Sequence, residues 1–86
     1  MILDIHYSKF HVNCVFSAGR DGLVIMWSIP QKRTEKIFKD PFSAGEISTV
    51  TATQTELYLA NTQGFIQKWN IEKIEILQSI NVQVIM

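Results

Sequence analysis

The sequence has one cysteine, two prolines, four glycines and no surplus of either charge, with eight Lys and Arg against eight Asp and Glu. Each shortage closes off a class of protein. A single thiol, Cys14, can form neither an internal disulfide nor a cysteine-rich zinc site, and it fits a reducing compartment. Phosphate binding runs on an excess of Lys and Arg, so a neutral chain is not expected to take a nucleic-acid partner. The longest apolar run, Leu23–Trp27, is five residues against the roughly 18 of a membrane span, so no membrane partner is expected either. Met1-Ile2-Leu3-Asp4 carries no basic stretch of the kind that opens a signal peptide. Branched residues are plentiful instead. Ile, Val and Thr number 24 against 12 for Ala, Leu and Met, and branched side chains suit a pleated sheet better than a helix. With 47% hydrophobic residues in 86, the chain is too apolar for disorder and long enough for one domain with a thin core.

The sequence repeats itself. Ser17–Ile29 laid over Leu59–Ile71 aligns Ala18 with Ala60, Gly22 with Gly64, Trp27 with Trp69 and Ile29 with Ile71, all at an offset of 42. Upstream, Ile2, Ile5 and Tyr7 fall on Ile47, Val50 and Ala52 at an offset of 45. The second copy has therefore lost about three residues between its first two strands, where a surface hairpin tolerates deletion.

Each copy reads as four short strands. In copy one these are Ile2–Tyr7, Asn13–Gly19, Leu23–Ile29 and Thr34–Phe38; in copy two, Ile47–Thr53, Leu57–Asn61, Phe65–Ile71 and Glu75–Ile80. Asp21-Gly22 predicts a tight two-residue hairpin turn, and Pro30 ends the third strand because proline cannot donate to a ladder. Leu23, Ile25, Trp27 and Ile29 alternate with Val24, Met26 and Ser28, so both faces of that strand are largely apolar and expected to be covered. Connections this short leave no room for crossover helices, so the sheets are expected to be antiparallel.

A four-stranded unit of this length, in which small-x-x-Asp-Gly turns into an alternating strand ending in Trp, resembles the WD40 repeat; Ser17-Ala18-Gly19-Arg20-Asp21-Gly22-Leu23-Val24-Ile25-Met26-Trp27 carries the likeness. The resemblance implies an all-β fold of two antiparallel four-stranded blades in an incomplete propeller. Residues 1–43 would form blade 1 with its connector, 44–80 blade 2, and 81–86 a truncated lead-in to a further strand. The repeat residues it singles out are Ser17, Asp21, Gly22, Trp27, Gly64 and Trp69. There are departures. No His occurs after residue 11 to supply the usual Gly-His pair, whose place in copy two falls near Ser43 or Glu46. The naming dipeptide reads Trp27-Ser28 and Trp69-Asn70, and the Trp-Asp-x-Arg variant of ubiquitin-ligase adaptors is missing. A buried indole N–H needs an acceptor. Ser17 Oγ can serve Trp27, with Asp21 accepting in turn from the serine. Leu59 cannot serve Trp69, which is expected to use a backbone carbonyl or to stay at the rim and so to lose less on substitution by Phe.

Chemistry-bearing residues are sparse. His6 and His11 with Cys14 lack a fourth ligand for a metal and read as hairpin histidines. Cys14, among Val12, Val15 and Phe16, reads as a small buried hydrophobe rather than a nucleophile. Asp21 with Glu56, or Asp4 with Glu46, would need a pocket that raises a carboxyl pKa to act as acid and base. Lys32, Arg33, Lys36 and Lys39, interrupted by Glu35 and Asp40, read as a solvated edge strand. Gly19–Gly22 runs into a strand, whereas a phosphate cradle opens a helix. No catalytic residue, cofactor or metal is therefore expected.

The functional expectation is a non-catalytic protein–protein interaction scaffold within a larger assembly. It would be intracellular, in the cytoplasm (cytoskeletal or ciliary assemblies included) or the nucleus. Its partners would be proteins or further blades, including other copies of itself, because two blades bury only the surface between them. Both outer faces are expected to be rich in Ile, Val, Leu and Phe. The alternative is a wall of a ligand-binding or catalytic site in a larger chain. Far-UV circular dichroism of the assembled chain should give an antiparallel-sheet spectrum, and a dominant helical spectrum would overturn the fold expectation.

Overall fold

A computed structural model of the chain describes residues 2–39 and 45–81. Its elements are β1 (Ile2–Tyr7), β2 (Cys14–Gly19), β3 (Val24–Ser28), β4 (Arg33–Phe38), β5 (Ile47–Ala52), β6 (Glu56–Asn61), β7 (Phe65–Asn70) and β8 (Glu75–Asn81). They form two antiparallel four-stranded sheets, β1-β2-β3-β4 and β5-β6-β7-β8, with strand limits within one residue of the sequence expectation. Among the described residues there is no helix, and so none long and apolar enough to cross a membrane. Ser43 and residues 82–86 lie outside the described residues, and Asn81 is the last residue of β8.

The repetition extends to the irregularities. β1 skips Leu3 against β2, and β5 skips Ser48 against β6. β4 carries an extra Glu35 opposite Met26 and Trp27, and β8 an extra Leu77 opposite Lys68 and Trp69. Such bulges raise the local twist, so the two sheets bend alike and stack with matched curvature. The hairpin between β1 and β2 has six residues and that between β5 and β6 has three, which accounts for the shift from 45 to 42.

The turn at Asp21-Gly22 differs from the expected two-residue form. Gly19 N donates to Leu23 O at 3.0 Å and Gly22 N to Gly19 O at 3.2 Å, closing a three-residue loop. Only Gly22, at φ +81°, is left-handed there, and Asp21 Oδ1 accepts from Leu23 N at 3.2 Å. This is the form in which an ordinary turn precedes one left-handed glycine. In copy two Gly64 (φ 90°) repeats the geometry, and Asn61 Oδ1 takes over the capping by accepting from Gln63 N and Phe65 N, both at 3.0 Å. The missing turn aspartate is thus replaced from an earlier position.

Each sheet presents two faces, one bearing its tryptophan and one not. The face of β1–β4 without Trp27, with Phe16, Ala18, Val24, Met26 and Phe38, packs on the Trp69 face of β5–β8, with Val50, Ala52, Leu57, Leu59 and Trp69. These residues make the single core, and Phe16, Val24 and Leu57 are wholly excluded from solvent. The β3–β4 and β7–β8 turns both place a side chain in the left-handed region, Lys32 and Ile74, each at φ 55°. A β-branched residue is strained there, whereas Asn is tolerated. Ile74 is 39% exposed and stands outside the buried core. Replacing Ile74 with Asn should therefore raise stability by about 1 kcal/mol, measured as a higher urea midpoint at unchanged slope.

Candidate interaction surfaces

Around the apolar stack, four polar struts tie the sheets together. Asp4 on β1 accepts at Oδ2 from Thr49 Oγ1 (3.1 Å) and from Val50 N (3.0 Å) on β5. Lys36 on β4 donates from Nζ to Ile71 O at 3.0 Å. His11, in the β1–β2 hairpin, meets Thr53 O at 2.9 Å through Nε2. Because a carbonyl only accepts, Nε2 carries the proton. Its ring also stands edge-on to Phe16, 5.5 Å between centroids. Arg20 and Glu46 pair at 2.8 Å at the opposite end, both well solvated, so that pair adds little. Sequence reasoning took Lys36 for a solvated edge residue and His11 for an ordinary hairpin histidine, and it found no pocket that would let Asp4 act with Glu46 as acid and base. All three span the junction, and nothing in their local sequence marks the atoms they reach.

The tryptophans occupy different environments. Trp27 Nε1 donates to Ser17 Oγ at 2.9 Å, on the half-covered face of the first sheet. Asp21 is occupied in its turn and Ser17 is buried, so the serine serves the indole alone among the described contacts. Trp69 does not sit at the rim. It is 3% exposed, edge-on to Phe38 with centroids 5.8 Å apart, and it donates to Gln67 Oε1 at 3.1 Å. Leu59 removed one acceptor, and the side chain two residues back on the same strand supplies another on the same face. Ser28 and Asn70, standing where the repeat's second dipeptide residue falls, do equivalent work. Ser28 Oγ accepts from Gln31 N at 3.4 Å and Asn70 Oδ1 from Lys73 N at 2.8 Å.

The outward faces of the pair are chemically unlike. The Trp27 face of β1–β4 joins Ile5, Tyr7, Val15, Ile25, Trp27 and Ile37 across all four strands by register. Ile5 and Tyr7 are 62% exposed and Ile37 49%. The outward face of β5–β8 keeps Ile66 and Ile80 but carries a polar centre. Lys68 Nζ pairs with Glu56 Oε2 at 3.3 Å, and Tyr58 Oη donates to Glu56 Oε1 at 3.0 Å. The hydrogen bond to Glu56 raises the Tyr58 pKa above its ordinary 10.0, aided by desolvation and the carboxylate charge and opposed by Lys68. That bond contributes while the phenol is protonated and is lost as pH rises through the raised value. The expectation of two equally apolar outer faces therefore holds for the first sheet and fails for the second, where Cys14, Phe16 and Met26 are matched by Glu56, Tyr58 and Lys68.

The remaining candidates disperse. Asp4, Asp21, Glu46 and Glu56 are each engaged with a different partner. His6 and His11 line separate clefts, of about 280 Å³ beneath the first hairpin and about 200 Å³ where the sheets meet. Cys14 is half-buried against the core, and Arg33 pairs with Glu35 at 3.5 Å along the edge strand. Among the described residues no three His, Cys, Asp or Glu side chains converge as metal ligands would.

No family model matches the chain, and no curated protein matches it. Solved structures do. The WD40 domain of Toxoplasma gondii coronin superposes on 93% of this chain with a TM-score of 0.81 at 20% identity. The WD40 β-propeller domain of Doa1 does so on 91% (0.78, 14% identity), and U3-55K on 92% (0.75, 16% identity). This chain spans about a quarter of each, 23%, 26% and 24% respectively. The fold is therefore that of two neighbouring WD40 β-propeller blades, with the ring unclosed.

Burial now ranks the tryptophans opposite to the sequence expectation. Trp69→Phe removes bulk and a bond from the sealed junction and should cost about 2–3 kcal/mol, whereas Trp27→Phe should cost about 1 kcal/mol. Urea denaturation of the two variants beside the unaltered chain measures both.

Proposed function

We propose that this chain is a non-catalytic protein-interaction scaffold, a partial WD40-type propeller that acts architecturally inside the cell, in the cytoplasm or nucleus, with protein surfaces completing its ring. One observation carries the reading. Four positions on the exposed Trp27 face have apolar repeat counterparts on the Trp69 face: Ile5 with Val50, Tyr7 with Ala52, Val15 with Leu57 and Trp27 with Trp69. Those four counterparts are buried. The first blade therefore exposes the kind of surface that the second covers. A contiguous apolar face across four strands is an interaction surface by its composition. Stacked repeats generally need about three units or more for stability, and propellers close with about 4–8 blades. The unpaired thiol of Cys14 suits a reducing compartment.

In this role Ser17, Asp21, Gly22, Trp27, Gly64 and Trp69 are structural. Gly22 and Gly64 set turns that side-chain-bearing residues would strain, Asp21 fixes the first turn, and the tryptophans face their neighbouring blades. The chain alone should bind a dye specific for exposed apolar surface, or associate with itself in light scattering. Ile37→Lys, at an exposed position of the apolar face, should diminish either signal. A monodisperse monomer that binds no dye and unfolds in one cooperative transition would overturn the scaffold reading.

A further inference from the structure

We propose that the occupant of the exposed Trp27 face is a second copy of this chain, docked through the outward face of its β5–β8 sheet, so that copies associate head to tail. The proposal rests on the scaffold reading and names its partner. The chain holds both halves of one interface. Its internal junction joins the Trp-free face of one blade to the Trp face of the next, and the two surfaces left over are one of each kind.

Repeat equivalence converts three polar or aromatic contacts of the internal junction and its apolar filling into contacts between copies, which can be checked for chemical sense; the His11 and Arg20–Glu46 struts have no counterpart there. The edge-on contact of Phe38 with Trp69 becomes Ile80 against Trp27, apolar on both sides. The bond from Lys36 Nζ to Ile71 O becomes one from the Gln78 carboxamide to Ile29 O, still donor to acceptor. The bond from Val50 N to Asp4 Oδ2 becomes one from Ile5 N to Thr49 Oγ1, again donor to acceptor. Phe16, Ala18 and Val24, which fill the internal junction, become Tyr58, Ala60 and Ile66.

Lys68 and Glu56 are the test of the idea, because they stand where Met26 and Cys14 stand internally. They already neutralise each other within their own sheet at 3.3 Å, so docking buries no unpaired charge. Met26, though buried, borders the cleft of about 200 Å³ between the blades, so the equivalent Lys68 would stand beside such a cleft. Trp and Trp-free faces meeting in this way form a heterologous contact, which closes into a ring when its rotation permits. Two, three or four copies would supply about 4, 6 or 8 blades, the range in which propellers close.

Light scattering on the full chain should give a discrete species of about two to four times the monomer mass. Ile37→Glu blocks the Trp27 face and Ile66→Glu the outward face of the second blade. Both positions are exposed, at 49% and 40%, so the fold survives. Each variant alone should be monomeric, and an equimolar mixture should recover a 1:1 dimer through the one intact pairing. Circular dichroism of each variant confirms that it remains folded; Ile5→Lys and Ile80→Lys replace any that does not. Association abolished by Ile37→Glu but untouched by Ile66→Glu would mean that Trp27 faces meet each other, overturning the head-to-tail proposal while leaving the scaffold reading intact. Association indifferent to both substitutions would overturn the proposal in the same way. A monomeric unaltered chain that still binds the apolar dye would overturn self-docking alone, and one that binds none would overturn both.

Discussion

Neither four-stranded sheet can bury its own face, and the stacking of Phe38 and Phe16 on the Trp69 face is what makes a core at all. An antiparallel sheet offers an apolar face only to another layer, and here the layers are successive copies of one motif. Bulges at equivalent places give the sheets the same bend, and the same bend lets their side-chain layers interdigitate in the core. Removing that match would leave two hairpin sets, each marginal alone.

The polar groups follow from the stack. Once the sheets are held together, Asp4, Lys36 and His11 lie beside backbone groups of the neighbouring layer, and each satisfies a strand or turn donor or acceptor there. Hydrogen bonds to charged groups contribute roughly 1.5–3 kcal/mol when shielded from water, less in the open. These three therefore set register and separation between blades, while the apolar layer supplies most of the stabilisation.

The asymmetry of the outer faces carries the functional argument. A scaffold with two identical apolar ends would associate without order. Here one end is mostly apolar, with Ser17 and Thr34 as its small polar members, and the other has Glu56, Tyr58 and Lys68 at its centre. The unpaired surface is thereby directional, and direction is what ordered assembly of repeated units requires.

The sequence by itself determined the strand ladder, the turn positions and the duplication, because these depend on local alternation, on Gly22 and Gly64, and on spacing of 42 that any reader can count. The bond between Trp27 and Ser17 was also within reach, since both lie on neighbouring strands of one hairpin, facing the same way. The tertiary structure alone decided which face of each blade is covered. Trp27 and Trp69 occupy the same register position, and only the order of stacking buries one and leaves the other half-buried. It also decided the partners of Lys36, His11 and Asp4, separated from them by 35, 42 and 45 or 46 residues. The periodicity of a strand reports its own two faces and carries no term for the layer that will lie across them.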